Sequence, residues 1–81
     1  MTERPHRTFV FDTTSAALWA EEVGRAALIP VEVVPAPSES RAKCDLALIT
    51  PAERAAALAE ALAAAGVAFR PWPPDAPAEP Q

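Results

Sequence analysis

The chain predicts an α+β fold: a four-stranded antiparallel sheet with two helices on one of its faces. Three features of the sequence predict it. Short runs of β-branched, aromatic and leucine residues recur four times along the chain. Two alanine-rich stretches with helical periodicity separate the first run from the second and the third from the fourth. Capping residues or a glycine stand where those stretches begin and end. The pattern is βαββαβ.

Thr8–Phe11 forms the first expected strand, and Asp12, Thr13, Thr14 and Ser15 after it all have side chains that cap a helix N-terminus. The first helix is expected over Thr14–Ala26, with Ala16, Trp19, Ala20, Val23 and Ala27 as its inward stripe and Glu21, Glu22 and Arg25 on the wetter side. Ile29–Val34 is the second strand, with Val31 and Val33 on one face and Glu32 and Val34 on the other. Pro35 and Pro37 end it, and Ser38–Lys43 is a polar loop. Cys44–Ile49 is the third strand. Thr50 is placed to cap the second helix, with Pro51 at its first position and Glu53 closing a capping box. That helix runs to about Ala65 with Ala55, Leu58, Ala59 and Leu62 facing in, and Gly66 is its left-handed stop. Val67–Arg70 is the last strand.

Two βαβ crossovers give the strand order 4-1-3-2, the ferredoxin-like βαββαβ sandwich. Strand alternation turns Phe9, Phe11, Val31, Val33, Leu46, Leu48, Val67 and Phe69 toward the helices. Thr8, Val10, Glu32, Val34, Ala47, Ile49, Ala68 and Arg70 occupy the opposite face. That face is too apolar to stand in water, so a second subunit or a partner is expected to cover it, with the Trp72 segment folding back as the competing cover. One domain is expected over residues 8–72. Residues 1–7 form a polar N-terminal tail, and 73–81 form a proline- and acid-rich disordered tail.

Composition excludes several functions. Seven basic and 11 acidic residues give a net charge of -4. Such a balance does not supply the basic face that binds nucleic acid, nor a patch for an anionic membrane surface. No run approaches the roughly 18 apolar residues of a membrane span, and the N-terminus shows no apolar signal region, so a cytoplasmic protein is expected. One cysteine excludes an internal disulfide and a Cys-rich zinc site. One histidine and two glycines leave no acid/base pair, metal cluster or glycine-rich phosphate loop, so no enzyme and no cofactor are expected.

Cys44 is the one side chain with nucleophilic or group-carrying potential. Arg41 and Lys43 precede it and favour the thiolate, whereas Asp45 follows it and opposes the charge. The start of the third strand is expected beside the start of the first and the end of the fourth, so that His6, Arg7 and Arg70 add positive charge. An accessible thiolate of this kind is a nucleophile, a redox sensor or a carrier of sulfane sulfur. Cys44 also shares parity with Leu46 and Leu48, which would make it a small core hydrophobe in a non-catalytic interaction or regulatory module.

The order of several short motifs adds a family. Thr14-Ser15, Ala17-Leu18 and Ala20-Glu21 open the first helix, and Ile29-Pro30-Val31 follows. Pro35-x-Pro37, a polar loop and Cys44-x-Leu46-Ala47-Leu48 come next, and Gly66-Val67 ends the second helix. Over about residues 8–72 this resembles the selenium/sulfur (Se/S) carrier protein-like family. Asp45 stands where that family often has glycine, and Ser38 where it often has arginine. The resemblance implies that Cys44 carries sulfur or selenium as a persulfide or selenosulfide. Arg41, Lys43 and Ser38 would stabilise the charged form, and the partners would be donor and acceptor proteins.

Overall fold

The computed structural model describes residues 5–38 and 45–72. Its elements are β1 (His6–Val10), α1 (Thr14–Ala26), β2 (Glu32–Pro35), β3 (Leu46–Pro51), a 3-10 turn (Ala52–Arg54), α2 (Ala55–Ala65) and β4 (Arg70–Trp72). The strands form one antiparallel sheet in the order β2-β3-β1-β4, the expected order read from its other edge.

Both helices pack on one side of the sheet. The core gathers Phe9, Phe11 and Leu48 from the sheet side with Ala17, Ala20, Leu58 and Leu62 from the helices. Val31, Val33, Leu46 and Phe69 pack against its margin, so the helix-facing set is the one that alternation gives. Phe69 tilts against Phe9 with ring centroids 5.2 Å apart, within the usual range for an aromatic pair.

α1 has the expected bounds. Thr13 is its N-cap, and its Oγ1 accepts from the Ala16 N–H at 3.0 Å. The inward stripe is rotated from the expected one. Ala17, Ala20 and Gly24 are buried, while Trp19 is 48% exposed and Ala27 is exposed. The reason is close approach: a Cβ on Gly24 would lie 2.9 Å from Val31 Cγ1 and 3.4 Å from Leu58 Cδ1. Only small residues fit a helix held that near to its neighbours, so the indole turns outward.

Both helices end in the same two-bond motif. At α2, the Gly66 N–H donates to the Ala63 carbonyl and the Val67 N–H to that of Leu62. Gly66 takes φ 82°, the expected left-handed stop. At α1, the Leu28 N–H donates to the Arg25 carbonyl and the Ile29 N–H to that of Gly24. Leu28 occupies the left-handed position there, at φ 61° and 84% exposed. A leucine pays a steric penalty in that conformation which glycine does not. Leu28→Gly is therefore expected to stabilise the fold by about 1 kcal/mol. An unchanged or lower midpoint in urea denaturation would contradict the assignment of strain.

These closures also move two strand starts. The amides of Ile29 and Val67 finish helices, so β2 begins at Glu32 rather than Ile29, and β4 at Arg70 rather than Val67. The side chains of Ile29 and Val67 still enter the core. β1 starts earlier than expected, at His6, because β3 runs on to Pro51 and the two pair along that length. Thr50 caps no helix. It is 1% exposed, and its hydroxyl donates to the Pro30 carbonyl at 2.8 Å. The 3-10 turn then intervenes, and α2 starts only at Ala55. Each edge strand contains a proline, Pro35 in β2 and Pro71 in β4, where a missing ladder donor is tolerated.

Strand register lays out the face away from the helices. One row crosses it as Arg70, Val10, Ala47 and Val34, and the next as Trp72, Thr8, Ile49 and Glu32. Val10 and Ala47 are fully buried, and Thr8, Val34, Ile49 and Trp72 are half-buried.

Candidate functional site

Cys44, Arg41 and Lys43 lie outside the described residues. What the structure describes is the frame into which their segment is tied. Pro35 pairs with Leu46, and the Ala36 N–H donates to the Asp45 carbonyl at 2.8 Å. The β2–β3 connection therefore leaves and re-enters the sheet at a pinned pair of residues, Ala36 and Asp45. Asp45 is exposed and precedes β3, which begins at Leu46, two residues later than expected. Ser38 is exposed, close to the outgoing end of the connection.

The antiparallel register decides which groups share this end of the sheet. Val10 pairs with Ala47, and His6 pairs with Pro51. The entry to β3 thus lies beside the end of β1 and the start of β4. His6 and Arg7 are at the far end, and the expectation that they flank the cysteine was wrong. It misjudged direction: adjacent antiparallel strands put the start of one beside the end of the other. Arg70 is at the near end, opposite Val10. Its Nη2 lies 3.5 Å from Asp12 Oδ1, both side chains being largely exposed, so a carboxylate already offsets its charge. Beside that pair is a small cavity of ≈ 70 Å³ between the end of β1 and the start of β4.

The sequence reading missed one electrostatic feature. α1 follows β1, so its N-terminus lies at the same end as the entry to β3. Its first turn contains no acidic residue, and the dipole of a helix start favours nearby negative charge. The signal was the run Asp12-Thr13-Thr14-Ser15 directly after a strand, taken there only as a cap.

Among the described residues no group of three or more His, Cys, Asp or Glu could hold a metal ion, and no helix is long and apolar enough to cross a membrane. The fold and the pinned entry define a class of small α+β domains whose β2–β3 connection is tied to the sheet at Ala36 and Asp45. The chain belongs to the family described as "Putative Se/S carrier protein-like", whose model matches residues 7–71. No curated protein and no solved structure matches it.

Proposed function

We propose that the protein carries sulfur or selenium on Cys44 and passes it between a donor and an acceptor protein in a reducing compartment such as the cytoplasm. The observation that carries this reading is the family match over residues 7–71, a span that contains the chain's lone cysteine. The pinned frame at Ala36 and Asp45 supports it, because it ties the residue next to Cys44 to the rigid end of a sheet. A site held on regular elements presents its reactive atom more reproducibly than one on a free loop.

The Cys44 thiolate attacks the terminal sulfur of a donor persulfide. A new S–S bond forms at Cys44 as the donor S–S bond breaks, and the donor leaves as a thiolate. An acceptor thiolate then attacks the same terminal sulfur and regenerates the Cys44 thiolate. The sulfur keeps its oxidation level throughout, so no external oxidant or reductant enters. With selenium in the terminal position, the intermediate is a selenosulfide. Arg41 and Lys43 favour the thiolate, and Ser38 donates to the transferred atom. The chain is a group carrier, and turnover belongs to its partners.

The test incubates the full chain with a cysteine desulfurase and isotopically labelled cysteine, then measures intact mass. The wild type is expected to gain labelled sulfur, and Cys44→Ser none. Equal gain by both chains, or gain by neither, overturns the proposal. Thiol alkylation of the native protein separates the packing alternative: a Cys44 that serves only packing reacts at an appreciable rate only after unfolding.

A further inference from the structure

We propose that the outward face of the helix layer docks a partner protein whose contact surface is apolar and flanked by lysine or arginine. Only the partner's role, as donor or acceptor, rests on the carrier reading.

α1 has a second apolar seam. A helix in a two-layer domain buries one stripe and turns polar residues to water. α1 buries Ala17, Ala20 and Gly24. Its other side presents Ser15, Leu18, Trp19, Glu22 and Ala26, all exposed, at the helical spacing of a single stripe. Leu18 is 46% exposed and Trp19 48%. Single exposed apolar side chains are ordinary, but two large ones adjoining on one stripe form a patch of the kind that marks a contact surface. Helices offer anchors to other proteins at this spacing, and tryptophan is enriched among the side chains that dominate such contacts.

α2 packs beside α1 and turns out Ala56, Ala57, Glu60, Ala63 and Ala64. Four of these five end at Cβ, so this half of the layer is low and lets a second surface approach. The patch is also near the end of the sheet at which β3 begins. Leu18 lies four residues along α1 from Thr14, about 6 Å of helix rise, and α1 starts at that same end.

Charge decides the occupant. Glu22 and Glu60 are exposed, and neither is in an ion pair with another described residue. Arg25 is the one cation on either helix, and it is bonded to Glu21 at 2.7 Å. Arg54, in the turn before α2, is half-buried. The layer is therefore apolar with unbalanced negative charge, and its complement is an apolar surface bordered by cations. A second copy fits poorly, because a two-fold contact would bring Glu22 and Glu60 of both chains to one interface with no free cation between them. An anionic lipid surface is repelled for the same reason.

The experiment titrates the full, isotope-enriched chain with a helical peptide that has leucine on one face and lysine along its borders, and records amide and indole spectra. The chain has two tryptophans, Trp19 on α1 and Trp72 on β4, so one spectrum reads both layers. The Trp19 indole N–H and the amides of Leu18, Glu22 and Glu60 are expected to shift saturably. The Trp72 indole and the amides of Val10 and Ala47 are expected to stay in place. Trp19→Ala should weaken binding by about tenfold or more, and so should Glu22→Lys combined with Glu60→Lys. All three positions are exposed, so the far-ultraviolet circular dichroism of these variants should match the wild type. A peptide with glutamate in place of lysine should not bind. Shifts centred on the sheet, no shift, equal binding of the glutamate peptide, or shifts produced by raising the protein concentration alone each overturn the proposal. The readout involves no sulfur. A chain that binds the peptide but gains no label from the desulfurase refutes the carrier reading alone, and one that gains label but binds no peptide refutes the docking surface alone.

Discussion

Phe11→Ala is expected to remove about 3–5 kcal/mol of stability. Phe11 is the largest of the fully buried side chains at 1% exposed, and it lies in the core cluster just beyond the last ladder residue of β1. Truncation both exposes the lost transfer energy of a phenyl ring and leaves a hole that alanine-rich helices cannot collapse to fill. A chain of this length has about 4–12 kcal/mol in total. The variant should therefore lie close to its own midpoint in dilute denaturant, with the slope of the transition unchanged. Urea denaturation followed by far-ultraviolet circular dichroism checks it. A loss of less than about 1 kcal/mol would mean that the ring is not shielded as described.

The second large effect is expected at Gly24. On an open helix surface, replacing glycine with alanine gains about 1 kcal/mol. Here the first added carbon already meets Val31 Cγ1 at 2.9 Å and Val31 Cγ2 at 3.3 Å. Val31 is β-branched and has little rotamer freedom with which to yield. Overpacking of this kind costs about 1–3 kcal/mol, so Gly24→Ala should show none of the usual gain. Gly24→Leu must also displace Leu58 or part α1 from β2, and it should lose about 3 kcal/mol. The pair of variants in one thermal series tests the packing. A Gly24→Ala protein more stable than the wild type by the full helix-propensity gain would show that α1 does not sit so close.

The Gly24 contact also explains where sequence reasoning stopped. Periodicity alone allowed Trp19 to face inward, because it spaces correctly with Val23. What turned the helix was the distance between layers, a tertiary property that no local pattern records. The same holds at Leu28, where leucine fills a position that composition would assign to glycine, so the end of α1 carried no glycine signal. Gly66, with its glycine in place, was readable. Thr50 showed the opposite error: a strong capping pattern was overridden because its hydroxyl had the Pro30 carbonyl as a buried partner across the sheet. Strand order and the helix-facing set followed from alternation and from the number of elements, which short shifts in strand ends do not disturb. At the candidate site, the lone cysteine and its basic neighbours in sequence were visible at once. Which distant charges share its end of the sheet was not, because that depends on strand direction: Arg70 is there, and His6 and Arg7 are not.

Pro35 and Pro71 have a consequence beyond their own strands. A small open sheet presents two borders to which another extended chain can add, and repeated addition of that kind builds fibres. Here each border is interrupted by a residue that cannot donate a ladder bond. Strand addition, the most general way in which another extended chain is captured, is thereby disfavoured at both borders. Faces and helix surfaces are what the domain leaves open to other molecules, and the same interruption works against edge-to-edge polymerisation.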